Sequence, residues 1–278
     1  MERTKNDLAM LQALPLEVKL RKTQNRIREW VCEFGTNGVY VSFSGGKDST
    51  VLLHIVRQMY PDIEAVFVNT GLEYPEIQSF VRTFENVTIL RPKMRFDEVI
   101  RRYGYPIISK SVANCVSGAR LGQQSRFNLL DGKDCDGSDR RSKFAKAKYK
   151  PLLDVDFKIS DRCCDVMKKS PCYAFEKRMS KKPILATMAH ESMYREKNWY
   201  KSGCNAFDSK HPKSAPMSFW TEQDVLRYIK ENDLRFASVY GDIVYKGEDG
   251  FEYSKCFADA GKLCTTGCSR TGQSITAA

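Results

Sequence analysis

The 278-residue chain is short of three things, and each shortage narrows its chemistry. Its apolar residues never run together for the roughly eighteen positions that a helix needs to cross a bilayer. The opening residues, Met1-Glu2-Arg3-Thr4-Lys5-Asn6-Asp7, lack the apolar core of a signal peptide. A cytoplasmic protein with no membrane partner is therefore expected. Histidine occurs only at His54, His190 and His211, with no spacing that suits a metal, and His54 reads as a helix-surface or core residue. Acidic side chains are outnumbered, 34 Asp and Glu against 45 Lys and Arg, for a formal net charge of +11. That balance is unusual for an enzyme confined to small metabolites and points to a polyanionic partner. No internal repeat is present.

The positive charge is uneven. Arg140 to Lys150 carries Arg140, Arg141, Lys143, Lys146, Lys148 and Lys150 and no acid. Phe144 and Tyr149 lie between them, so rings can stack on bases while lysines meet phosphates. The alternative is a solvated surface loop. The preceding Leu130 to Asp139 is polar and rich in glycine, and residues 122–150 together read as an insertion in the core. Ten cysteines in a chain without secretory features point to metal or catalytic thiols before disulfides. Cys32, close to Ile27, Trp30 and Val31 in an amphipathic helix, is expected in the core. Cys115 and Cys135 have no informative neighbours.

Leu16, Leu20, Ile27 and Val31 trace one face of a leading helical segment, residues 1–35. Strand and helix then alternate: strand Val39–Ser44, helix Asp48–Tyr60, strand Ala65–Asn69, helix Pro75–Glu85, strand Val87–Leu90 and helix Phe96–Tyr103. Pro183–Met188 reads as a further buried strand, and Thr221 caps a helix with Asp224 three residues on. Tyr240–Tyr245 and Phe251–Tyr253 form a hairpin pattern. The alternation demands an α/β fold, an open parallel twisted sheet with helices on both faces and right-handed crossovers. A core domain over 36–235 and an extension over 236–278, hairpin then cysteine-containing tail, complete the expected layout.

Ser44-Gly45-Gly46-Lys47-Asp48-Ser49 sits where the first strand turns into its helix. At such a turn free backbone N–H groups and the positive end of the helix dipole face one point, which suits a phosphate. Gly45 and Gly46 permit positive φ and close anion approach. Lys47 adds a point charge, and the Ser44 and Ser49 hydroxyls can donate to phosphate oxygens. The spacing is not that of the Walker loop. All six residues resemble the PP-loop of the ATP pyrophosphatases, which cleave ATP between its α and β phosphates. Asn69-Thr70-Gly71-Leu72-Glu73-Tyr74-Pro75-Glu76 resembles the Asp-Thr-Gly-x-x-Phe-Pro-Glu signature of the phosphoadenosine phosphosulfate (PAPS) reductase branch of that superfamily, with Asn69 and Tyr74 as departures. The resemblance implies a Rossmann-like, adenine nucleotide alpha hydrolase-like sheet. Thr70 and Gly71 would then lie beside Gly45 at the carboxyl ends of adjacent strands.

Three further segments resemble the family. Arg162-Cys163-Cys164-Asp165-Val166-Met167-Lys168-Lys169-Ser170-Pro171 is similar to a cysteine segment that binds an iron–sulfur cluster in adenylyl-sulfate reductases and DNA phosphorothioation proteins. Thiolates beside Arg162, Lys168 and Lys169 could bind iron or carry sulfur. The tail Gly267-Cys268-Ser269-Arg270-Thr271-Gly272 resembles a family ending, with Gln273 and Thr276 standing where that ending has cysteines. With those two cysteines replaced, Cys204 and Cys264 are the candidate substitutes, and a 4Fe–4S cluster would draw on Cys164, Cys204, Cys264 and Cys268. Glu191, Ser192 and Arg195 match a segment that borders the nucleotide, while Ala186 and Met188 replace its glycine and first arginine. Arg195 then either contacts an anion or is an ordinary surface arginine. Pro216 to Val225 matches a segment read as a structural cap and core element.

The expected activity is that of an ATP pyrophosphatase which adenylates an acceptor, with nucleic acid the expected target, before a sulfur nucleophile displaces AMP. Lys47 and Asp48 would be catalytic, with Mg²⁺ bridging the phosphates, and Cys163 or Cys164 would deliver sulfur received from a donor protein. One alternative is a sulfonucleotide reductase. Against it stand the intact phosphate loop and the absence of the Glu-Cys-Gly-Leu-His ending that such reductases carry. Another is a non-catalytic, nucleotide-sensing nucleic-acid-binding protein.

Overall fold

The computed structural model describes residues 3–139, 146–247 and 250–253. They fall into two compact units. One comprises the residues up to Leu90 together with those from Cys172 onward, and the other is Arg91–Pro171.

The first unit begins with helices α1 (Lys5–Gln12) and α2 (Leu16–Phe34). Next come strand β1 (Val39–Ser42), helix α3 (Lys47–Met59), strand β2 (Ala65–Val68), helix α4 (Pro75–Val81) and strand β3 (Val87–Leu90). The second unit holds α5 (Phe96–Tyr103), α6 (Lys110–Arg120) and α7 (Gln124–Leu130). Helix α8 (Ser170–Met179) leads back to the first unit, which continues through β4 (Lys182–Ile184), α9 (Met193–Ser202), β5 (Asn205–Ala206), β6 (Lys213–Ser214) and α10 (Glu222–Glu231). A hairpin of β7 (Ile243–Tyr245) and β8 (Phe251–Tyr253) follows, as the sequence predicts.

The main sheet runs β3-β2-β1-β4-β6-β5, all parallel except the edge strand β5. The chain leaves β1 toward β2 on one side and returns through β4 on the other. Strand order therefore reverses at β1, the place where open α/β sheets bind ligands. The two-residue strand period divides the core. Val39, Val41 and Phe43 face α2, α3 and α10, while Tyr40 and Val66 face Phe175 of α8. Helices thus cover both faces, which suits the β-branched and aromatic strands.

Several expectations are corrected. β1 stops at Ser42, because Gly45 turns to φ +72°. β4 ends at Ile184, after which the chain enters a loop with a 3-10 turn at Ala189–Glu191, and α4 ends at Val81. Cys32 is exposed. The buried stripe of α2 is Leu16, Lys19, Thr23, Ile27, Trp30 and Val31, and Cys32 lies a further hundred degrees or so around the helix from Val31.

The second unit has its own core of Val112, Ala113, Cys115, Val116, Leu129, Leu130 and Ile159. The Arg120 guanidinium ties its far end together by donating to the carbonyls of Leu152, Leu153, Val155 and Phe157 at 2.6–3.2 Å. The expected insertion, 122–150, falls inside this unit; Arg140–Ala145 lies outside the described residues. Among the described residues no helix is long and apolar enough to cross a membrane.

Candidate phosphate-binding site

The turn from β1 into α3 is fixed by its surroundings. A Cβ on Gly45 would lie 2.7 Å from a methyl carbon of both Ile77 and Val81, so the backbone here packs directly on α4. With φ at +72° as well, glycine is required twice over. The two serines brace the loop. Ser49 Oγ donates to the Gly46 carbonyl at 2.9 Å and accepts from the Ser44 N–H at 3.2 Å. Its single hydrogen being used, the 3.0 Å contact between the hydroxyls must have Ser44 as donor. Both hydroxyl hydrogens are thus engaged within the turn, and the groups aimed outward are backbone amides.

Those amides belong to Lys47, Asp48 and Ser49, the first turn of α3, whose N–H groups have no intrahelical acceptor. The first helical bond is from Thr50 N–H to the Gly46 carbonyl at 3.0 Å. Lys47 Nζ stands 3.1 Å from Asp48 Oδ1 and 3.3 Å from Glu222 Oε1, its side chain 14% exposed. Asp48 Oδ1 is buried and accepts no hydrogen bond among the described residues, so the Lys47 charge alone compensates it. A buried carboxylate oxygen with an ion pair but no hydrogen bond, beside a phosphate cradle, could take a divalent cation of the Mg²⁺ type.

At the end of β2, Thr70 donates through its N–H and hydroxyl to the two oxygens of buried Glu73, at 2.9 and 2.6 Å. Asn69 Oδ1 accepts from the Gly71 N–H at 2.9 Å, and its amide donates to Gln78 at 3.1 Å. Aspartate, the family's usual residue, could not donate that second bond. Gly71 has φ +81° and open space where a side chain would be. Because β1 and β2 pair in parallel, the Thr70-Gly71 turn and the Gly45 loop share one end of the sheet. At the same end of β4, Glu191 accepts from the Met188 N–H at 2.9 Å and forms an ion pair with Arg195, while Ser192 caps α9. Arg195 is therefore held by Glu191, one turn behind it.

Cys163 and Cys164, both half-buried, open a helical turn that widens into a π-helix over Asp165–Lys169. Widened turns of this kind recur at functional sites. Two of the cations expected beside the thiols have other partners: Arg162 lies over the Tyr103 ring at 5.4 Å, and Lys169 pairs with Asp165 at 2.7 Å. Of the expected cluster ligands, Cys264 and Cys268 lie outside the described residues. Cys204 Sγ is 3.2 Å from Ser218 Oγ, and burial pushes its thiol pKa up. Cys164 belongs to the second unit and Cys204 to the first. No metal-holding group of three His, Cys, Asp or Glu occurs among the described residues.

Sequence reasoning missed two residues at the loop, Glu222 and Tyr240. The first occupies a variable position within the Trp220 to Asp224 cap motif, where attention goes to the capping pair Thr221 and Asp224. The second follows a 3-10 turn, Ser238–Tyr240, far along the chain, and no local pattern links it to the loop.

A parallel sheet with a Gly-Gly-Lys turn at its switch point defines the class as Rossmann-like α/β. Comparison with known proteins narrows this. Residues 38–107, from β1 past α5, match the phosphoadenosine phosphosulfate reductase domain. An uncharacterized protein of Methanocaldococcus jannaschii is 28% identical over 262 residues, 87% of this chain and 49% of that protein, so the chain spans about half of that relative's length. An adenosine 5'-phosphosulfate reductase of Staphylococcus epidermidis is 21% identical, covering 77% of this chain and 70% of its own. A phosphoadenosine 5'-phosphosulfate reductase of Alkalilimnicola ehrlichii is 24% identical, covering 83% and 76%. A crystal structure of the Candida auris phosphoadenylyl-sulfate reductase, a phosphate complex, has a TM-score of 0.45 and 13% identity over 86% of this chain and 92% of that one. Residues 38–107 thus carry a domain of the PAPS reductase branch of the PP-loop superfamily, and similarity to named sulfonucleotide reductases extends over most of the chain.

Proposed function

We propose that this protein is an ATP pyrophosphatase that adenylates an acceptor, releasing pyrophosphate, ahead of sulfur transfer to nucleic acid. The observation that carries the reading is the intact loop, with Gly45 wedged on α4 and the first amides of α3 turned outward beside Lys47. An acceptor oxygen attacks the α phosphorus, and the bond to the β-phosphate oxygen breaks with its electrons leaving on pyrophosphate. Lys47 and the Asp48 and Ser49 amides stabilise the charge that develops there. Asp48 would hold Mg²⁺, which would supply further charge neutralisation for that leaving group. The outer sulfur of a persulfide, left on Cys163 or Cys164 by a donor protein, then attacks the activated carbon, and AMP leaves with the C–O electrons. A thiol reductant cleaves the S–S bond, leaving the sulfur on the acceptor and itself becoming oxidised to a disulfide. The basic stretch around Lys146 and Lys148 supports a polyanionic acceptor.

A second reading, reduction of a sulfonucleotide to sulfite, is favoured by the names of two relatives. Incubation with ATP plus nucleic acid, and separately with adenylyl sulfate or PAPS plus a thiol reductant, separates the two. AMP and pyrophosphate are expected from the first mixture; sulfite from the second would instead establish the reductase. The paired substitution Cys163→Ser and Cys164→Ser is expected to leave ATP binding intact and abolish transfer. Full transfer by that variant would remove both cysteines from the chemistry.

A further inference from the structure

The phosphate loop is already engaged by another part of the same unit. The Tyr240 phenol oxygen lies 3.4 Å from where a Gly46 Cβ would stand, beside the first backbone N–H groups of α3. Burial raises the Tyr240 pKa, so the phenol is neutral at ordinary pH and its oxygen acts as a neutral acceptor. The Lys47 ammonium meets the Glu222 carboxylate at 3.3 Å. Oxygens from outside the loop thus stand beside both its backbone and the ammonium that a bound phosphate would use.

These oxygens come from one structural module. Glu222 is the first residue of α10, and the next, Gln223, clamps the β7–β8 hairpin by accepting from the Phe251 N–H at 2.8 Å and donating to its carbonyl at 3.0 Å. Tyr240 ends the 3-10 turn immediately before that hairpin, with Gly241 at φ +69° closing the turn. The turn packs on α4, the helix against which Gly45 is wedged.

We propose that Tyr240 and Glu222 act as intramolecular competitors for the polyphosphate of the nucleotide, positioning residues that hold Lys47 in its absence and must be displaced when it binds. The inference rests on the reading that the Ser44–Ser49 loop takes ATP. Its consequence is that filling the loop loosens the 238–247 segment, coupling nucleotide occupancy to the hairpin.

Calorimetric titration of the full chain with ATP tests it, using Tyr240→Phe, which keeps the ring, and Glu222→Gln, which keeps the shape. Losing one net hydrogen bond or ion pair from the unliganded state should tighten ATP binding roughly three- to tenfold in each variant. Backbone deuterium exchange over residues 240–245 of the unsubstituted protein should quicken when ATP is added. Weakened or unchanged affinity in both variants, with Lys47→Ala still impaired, would overturn the competition while leaving the loop assignment in place. Slower exchange on adding ATP would overturn it too, because the segment would then be closing on the nucleotide. Unchanged affinity in Lys47→Ala would remove the loop assignment itself, and the inference with it.

Discussion

Two lysines end on the first turn of the same helix, α10, and they are held very differently. Lys19, from α2, is 3% exposed in its side chain and lies 2.7 Å from Asp224 Oδ2. That oxygen also accepts from the Thr221 N–H and hydroxyl, each at 2.7 Å. One turn along α2, Thr23 accepts from the Trp220 indole at 2.8 Å and donates to the Pro216 carbonyl at 3.2 Å. The region is a closed network. Lys47 also finds two carboxylates, but at 3.1 and 3.3 Å, one of them 46% exposed and the other carrying a buried oxygen without a hydrogen bond. A cation whose partner is saturated and buried belongs to the scaffold. One shared between an adjacent residue and a half-exposed glutamate can change partners at small cost, which is what a ligand site requires.

The largest effect expected from this contrast is on stability. Lys19→Ala leaves Asp224 buried without its countercharge, a change that costs about 3–5 kcal/mol. Denaturant unfolding should show it as a lowered midpoint at unchanged slope. ATP affinity, measured on the folded fraction, should not move. A loss below about 1 kcal/mol would place this pair among ordinary surface bridges and break the comparison.

Lys47→Ala should do the reverse. Removing a charge-assisted phosphate contact weakens ATP binding by about 2 kcal/mol, roughly thirtyfold. Because its partners are looser, the loss of folding stability should be smaller than for Lys19. Equal destabilisation by the two alanines would erase the distinction between scaffold and ligand lysine, and unchanged nucleotide affinity would sink the site.

The sequence made one of these lysines legible and hid the other. Lys47 stands in a contiguous motif whose function depends on local backbone geometry, so its strand, turn and helix could all be read from neighbouring residues. The early strands were legible for the same reason: Val39 to Val41, Ala65 to Val68 and Val87 to Leu90 are short apolar runs between helical periods. Lys19 sits where a polar residue interrupts an apolar stripe, and only a partner 205 residues away explains it. Glu222 and Tyr240 were hidden because their contacts with the loop are long-range. Cys32 misled because proximity in sequence to Ile27, Trp30 and Val31 is not membership of their helical face. The separate core of Arg91–Pro171 was obscured by composition, since the polar, glycine-rich residues around Gly132 and Gly137 sit next to the apolar Leu129 and Leu130 that anchor it.

A third kind of lysine completes the series and carries the smallest expected effect. Lys148 is exposed with its ammonium 4.9 Å from the Tyr149 ring, and Lys150 is 53% exposed beside Asp131 at 2.6 Å. Neither Lys146 nor Lys148 belongs to the residues of the second unit's core, so replacing both by alanine should change stability by no more than about 0.5 kcal/mol. If the stretch contacts nucleic acid, each lysine releases counterions on binding, and the slope of log affinity against log salt should flatten by about 1.4–1.8 for the pair. Fluorescence anisotropy with a labelled single strand and with a duplex, over a salt series, reads that slope directly. An unaltered slope would return the stretch to a solvated surface and leave Lys47 as the candidate polyanion-binding lysine among those compared.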